Sequence, residues 1–159
     1  MIGTPIQSPE QLNEDLTDAL ISIVDEHTDA VIDLTDNIVG LRPFPDTPLP
    51  PGHDIIVIPR VTSQEGFKAM SDFVATLPDE EARARLGLRL TWRKPFRGFL
   101  LALTPDEQLL WQAYRAHAFG IIARFRVSDA DLHFDGTRNR VARLPTPGSP
   151  AWYTRLRQS

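Results

Sequence analysis

The sequence predicts an α+β fold: an N-terminal helix, a small antiparallel three-stranded sheet, then a cluster of about four helices. Three observations carry this expectation. Three Ser/Thr capping signals each precede a run of apolar residues at helical spacing. The β-branched runs are confined to the first sixty residues. Finally, the longest helical stripe follows the last of those runs.

The first helix is announced by Ser8-Pro9-Glu10-Gln11, with a capping serine, proline at the first helical position and glutamine at the third. Leu12, Leu16, Ala19, Leu20, Ile23 and Val24 then recur at helical spacing to about His27. Ala30-Val-Ile-Asp-Leu34 and Ile38-Val-Gly-Leu41 flank a turn-rich Thr35-Asp36-Asn37 and predict a hairpin. Asp54-Ile-Ile-Val-Ile-Pro59 is apolar at successive positions, as in a strand covered on both faces. Between these strands, residues 42–51 hold five prolines, which excludes a helix interior or a central strand. The segment 42–53 is therefore a proline-rich loop, read as a stiff connector in preference to a peptide for an SH3-like domain.

Thr62-Ser63-Gln64-Glu65 opens a second helix, with Phe67, Met70, Phe73, Val74 and Leu77 on one face. A shorter helix is expected over 79–88, its first-turn acids suiting the positive end of the dipole. Pro95 predicts another helix start, with Phe96, Phe99, Leu100 and Leu103 at core spacing. Thr104-Pro105-Asp106-Glu107 launches the longest helix, with Leu110, Tyr114, Ala118, Ile121, Ile122 and Phe125 inward. Residues 1–136 are read as a single domain and 137–159 as a basic, flexible C-terminal tail.

Composition excludes several chemistries. With no cysteine in the chain there is no disulfide, thiolate nucleophile or cysteine-ligated zinc. The start has no basic region leading into an apolar stretch, and no apolar run reaches a bilayer span, so a cytoplasmic protein without a membrane partner is expected. Net charge is −4, unevenly distributed. Residues 1–60 carry eleven acids against Arg42 and Arg60, residues 61–136 balance at ten against ten, and residues 137–159 carry five arginines and no acid. That separation points to an interaction tail or to surfaces that pair with each other.

Three blocks in fixed order resemble a known family. Val57-Ile58-Pro59-Arg60-Val61-Thr62-Ser63-Gln64-Glu65 comes first, then Phe96-Arg97-Gly98-Phe99, then Trp111-Gln112-Ala113-Tyr114-Arg115. Together they resemble a UPF-series uncharacterised bacterial protein family whose members read Ile-Pro-x-Ile-x-Ser-x-Glu, Phe-Arg-x-Phe and Trp-x-x-Phe-Arg. The likeness covers residues 30–125. Lys94-Pro95 and Leu100-Leu101 depart from the residues usual around its second block. What the resemblance implies is a fold; it carries no activity.

Among the motifs, residues 91–99 are the most informative. Arg93, Lys94 and Arg97 crowd the expected positive end of a helix dipole, where cations are disfavoured. A counter-anion is required, either an internal carboxylate or an external anion, and Arg115 joins them as a candidate anion-site residue. An internal carboxylate is the expectation favoured by the frequency of structural ion pairs. Arg83 and Arg85 are read as paired with Asp79 and Glu81 at helical spacing. The tail residues Arg138, Arg140, Arg143, Trp152, Tyr153, Arg155 and Arg157 form a basic, aromatic set suited to nucleic acid.

No metal or cofactor is expected. Residues 129–136 mimic the start of a calcium loop, but Ala142 stands where the bidentate acid is needed. His27, His53, His117 and His133 have no paired spacing, and no nucleophile elbow, phosphate loop or dinucleotide motif occurs. The acids of the first helix, Glu14, Asp15, Asp18 and Asp25, lie mostly on its polar face and are read as solvation in preference to general acid–base work. The expected function is thus a non-catalytic binding or regulatory protein acting through a protein partner. Nucleic-acid binding through the tail and the Arg93/Lys94/Arg97 cluster is one alternative. A small enzyme assembled from sequence-distant residues such as Arg97, Arg115 and sheet acids is another.

Overall fold

A computed structural model describes residues 3–23, 28–43, 50–150 and 157. The fold is α+β. Its elements run α1 (Pro9–Ser22), β1 (Thr28–Asp33), β2 (Ile38–Pro43), β3 (Ile55–Ile58), α2 (Ser63–Thr76), α3 (Glu80–Arg89), α4 (Pro95–Ala102), α5 (Pro105–Asp129), β4 (Leu132–Asp135) and β5 (Arg140–Arg143). They form two compact units, Met1–Arg60 with Ala123–Ser159 and Val61–Ile122, and the division falls within α5. Among the described residues no helix is long and apolar enough to cross a membrane.

In the first unit Ser8 caps α1 by accepting the Gln11 N–H, and Leu12, Leu16, Ala19 and Leu20 are buried. The helix ends at Ser22; the expected extension to His27 enters residues 24–27, outside the described ones. The sheet order is β2-β1-β3, antiparallel throughout, with Ile32 opposite Val39 and Ile56. Asn37, at φ 58°, adopts the left-handed conformation that asparagine tolerates in tight turns. Its amide donates to the Ile6 carbonyl and accepts from the Val141 N–H, so one turn residue fastens the chain start and β5.

Three expectations for this unit are corrected. Strand β3 is an edge strand with Val57 exposed and Ile58 fully buried, so one face is covered and not both. Asp15 is fully buried, with Gln11 Nε2 at 3.4 Å from its carboxylate, and does not belong to a solvated face. The segment 137–143 is no free tail: β4 and β5 make a hairpin with Val141 fully buried. Of the proline-rich loop, residues 44–49 lie outside the described ones, as do Trp152, Tyr153 and Arg155.

The second unit is helical. Thr62 and Glu65 complete the capping box of α2, and Thr104 and Glu107 exchange the same pair of bonds ahead of α5. The core gathers Met70, Phe73, Leu86, Phe99 and Trp111. Phe99 and Trp111 meet edge-to-face at 5.1 Å between centroids, and Phe73 meets Trp111 at 5.4 Å. The buried stripe of α5 keeps the expected Tyr114 and Ala118, half-buried against this core, and centres on Trp111. Leu110, Ile121 and Phe125 are exposed instead of inward, while Trp111 and Ala123 are buried. Phe67, Phe96 and Leu100 are likewise exposed, so α2 and α4 bury narrower faces than their spacing predicts.

Candidate functional site

Helix α4 begins at Pro95, where the missing N–H and fixed φ suit the first helical position. Lys94 occupies the N-cap position with no side-chain cap, and the first turn carries no acid. Lys94, Arg97, Gly98 and Leu101 fall at i, i+3, i+4 and i+7, which places them on one stripe of α4. With Trp92 and Arg93 they line an open cleft of about 360 Å³.

Trp92 sits on the cleft because Gly98 has no side chain. A β-carbon there would stand 3.1 Å from Trp92 Cε3 and 3.4 Å from the Arg89 carbonyl oxygen. The Arg89 guanidinium covers the indole, 3.8 Å from its centroid, a cation–π contact. Trp92 remains 47% exposed and Leu101 73%, so the cleft offers apolar surface beside its charges.

Within the second unit, no counter-anion stands against these cations among the described residues. The side chains of Arg93, Lys94 and Arg97 make no hydrogen bond or ion pair there. The sequence explains why: no acid occurs between Glu81 and Asp106, while Arg83, Arg85, Arg89, Arg93, Lys94 and Arg97 all do. Nearby acids are already engaged. Glu107 accepts from Arg85 Nη2 at 2.6 Å, and Glu81 accepts from Arg85 Nε at 3.2 Å. Burial pushes the Glu107 carboxyl up, but the Arg85 and Thr104 hydrogen bonds outweigh it and hold the group below its ordinary value. Arg83 lies 4.0 Å from Glu80 and donates to the Leu77 carbonyl, in place of the expected pairing with Asp79.

Arg115 does not line this cleft. It lies half-buried on α5, its Nε lacking a partner among the described residues, and desolvation pushes its pKa down. The tail arginines divide. Arg140 donates to the carbonyls of Leu34 and Thr35, and Arg143 Nη2 reaches Asp54 Oδ1 at 2.6 Å. Arg138 and Arg157 are exposed.

A second constellation, in the first unit, is invisible to sequence spacing. Asp33 closes β1, and its Oδ1 accepts the N–H groups of Thr35 and Asp36 at 2.9 and 3.0 Å. That fixes Oδ2 at 2.8 Å from His53 Nδ1, with Asp36 Oδ2 at 3.7 Å from the same nitrogen. The Asp33 hydrogen bond raises the His53 pKa, partly opposed by desolvation and assisted by the charges of Asp33 and Asp36. The signal available beforehand was Asp33-x-x-Asp36 in a turn; its partner lies twenty residues on, across the proline-rich loop.

No family model, curated protein or solved structure matches the chain.

Proposed function

We propose that the protein is a non-catalytic binding or regulatory module whose α4 cleft takes an acidic, partly apolar segment of a protein partner. The observation that carries this reading is the set of three cations, Arg93, Lys94 and Arg97, at the start of α4 without a carboxylate partner among the described residues of the second unit. Cations at a helix N-terminus are unfavourable, by about 0.3–1 kcal/mol each near the surface. A fold with no use for them is better served by an acid. Arginine presents a planar fork to a carboxylate, and the exposed Trp92 and Leu101 supply apolar contact beside it.

Two other readings have less support. Nucleic-acid binding through the basic end loses Arg140 and Arg143, both engaged with β1–β3 and its turns. An enzyme built on Arg97 and Arg115 needs converging titratable groups, and the cleft lining holds no carboxylate or histidine. The resemblance of residues 30–125 to an uncharacterised family adds no activity to either.

Fluorescence of Trp92, isolated by comparison with Trp92→Phe, tests the reading. Titration with a peptide alternating glutamate and leucine is expected to change the emission saturably. A single-stranded oligonucleotide of equal charge and inorganic phosphate are expected to bind more weakly. Tighter binding of the oligonucleotide, falling steeply as salt rises, would replace this reading with the nucleic-acid one.

A further inference from the structure

We propose that Asp33, Asp36 and His53 form a binding site for one divalent transition-metal ion of the zinc class, independent of the α4 cleft. The three side chains offer one imidazole nitrogen and two carboxylate oxygens, all within 4.8 Å of one another. Two donors bound tetrahedrally to one zinc ion, each at about 2.1 Å, stand about 3.4 Å apart. The separations from His53 Nδ1, 2.8 Å to Asp33 and 3.7 Å to Asp36, bracket that spacing. Shifts of about half an ångström bring both separations from His53 to that spacing, and the carboxylate oxygens themselves lie within 4.8 Å of each other.

An ion pair between Asp33 and His53 accounts for one carboxylate and leaves the other unexplained. A protonated His53 brings one positive charge to two negative ones. The neighbouring arginines are not paired with them: Arg143 is held by Asp54, and Arg140 turns to the Leu34 and Thr35 carbonyls and forms no ion pair with Asp33 or Asp36 among the described residues. A divalent ion neutralises both carboxylates and takes the place of the proton between Nδ1 and Oδ2.

The donors are also oriented from outside. Asp33 is buried, and its second oxygen is fixed by two backbone N–H groups, the outer support that ligating carboxylates require. The segment carrying His53 is tied to the turn by Leu34 N–H to the Asp54 carbonyl at 2.8 Å and Asp54 N–H to Thr35 Oγ1 at 2.8 Å. The imidazole decides the class of ion. Calcium and magnesium take oxygen donors, whereas one imidazole with two carboxylates suits zinc or its first-row neighbours. Three protein donors leave a position for water or a ligand.

The test is calorimetric titration of the full chain with zinc chloride, alongside Asp36→Asn and His53→Ala. Asp36→Asn leaves the Asp33–His53 bond untouched, and its metal-free melting temperature reports that the fold is intact. The expected result is one equivalent of zinc bound by the wild type, with affinity reduced roughly tenfold or more in each variant. Absence of saturable binding overturns the proposal. Equal binding by wild type and both variants overturns it too, because the ion is then held elsewhere.

Discussion

Trp92 lies against Gly98: a β-carbon at residue 98 would meet Cε3 of the indole at 3.1 Å, a few tenths of an ångström inside ordinary contact. The glycine thereby sets the height of the aromatic wall of the cleft. Gly98→Ala is expected to push the half-exposed indole outward by a few tenths of an ångström, while the gain of about 1 kcal/mol from alanine over glycine within a helix offsets the crowding. A shifted Trp92 emission spectrum with little change in melting temperature checks this. An unshifted spectrum means that the indole does not rest on α4.

Arg85 and Glu107 join the middle of α3 to the capping box of α5. The Glu107 carboxyl lies below its ordinary value of 4.5. A carboxylate with a depressed folded pKa contributes stability that is fully present above the unfolded value and is lost as pH falls through the folded one. Glu107→Gln is therefore expected to be less stable than wild type at neutral pH, by about 1–3 kcal/mol. The gap should close as the solution is acidified below pH 4.5, as urea unfolding of both proteins across that range will reveal.

Phe99 is fully buried and touches both Phe73 and Trp111 edge-on. Truncation to alanine removes the centre of the aromatic cluster and is expected to cost about 3–5 kcal/mol. The loss should appear in thermal unfolding and as faster amide exchange in α2, α4 and the first half of α5.

The β4–β5 hairpin predicts a different outcome for truncation than a free tail does. Val141 is fully buried, and its N–H is held by Asn37. Deleting residues 137–159 is expected to lower the melting temperature, because burial of a valine side chain alone is worth about 1.5–3 kcal/mol. An unchanged melting temperature would show that β5 contributes nothing to the first unit.

Much of this architecture is written locally. Ser8, Thr62 and Thr104 each mark a helix start within three residues, and Pro95 marks a fourth, because capping involves neighbours in sequence. The crowding of Arg93, Lys94 and Arg97 was legible for the same reason. What escaped depends on distance along the chain. Periodicity within α5 finds Tyr114 and Ala118 but not Trp111, whose place in the core comes from meeting Phe73 and Phe99. His53 finds Asp33 across twenty residues of turn, strand and proline-rich loop. Arg126 reaches the carbonyls of Pro59 and Arg60 across more than sixty. That no carboxylate of the second unit pairs with Arg93, Lys94 or Arg97 among the described residues also required the fold, since Glu81, Asp106 and Glu107 flank the cluster in sequence.

The most direct test of the α4 cleft is Arg97→Glu, read for stability and peptide binding together. Residue 97 lies in the first turn of α4, where a carboxylate is favoured by the dipole by about 0.3–1 kcal/mol. If the cations are retained for a partner, the variant melts at the same temperature as wild type or slightly above it, and it no longer binds the acidic peptide. If Arg97 is instead held by an acid of its own chain, the variant melts lower, and that result would contradict the account.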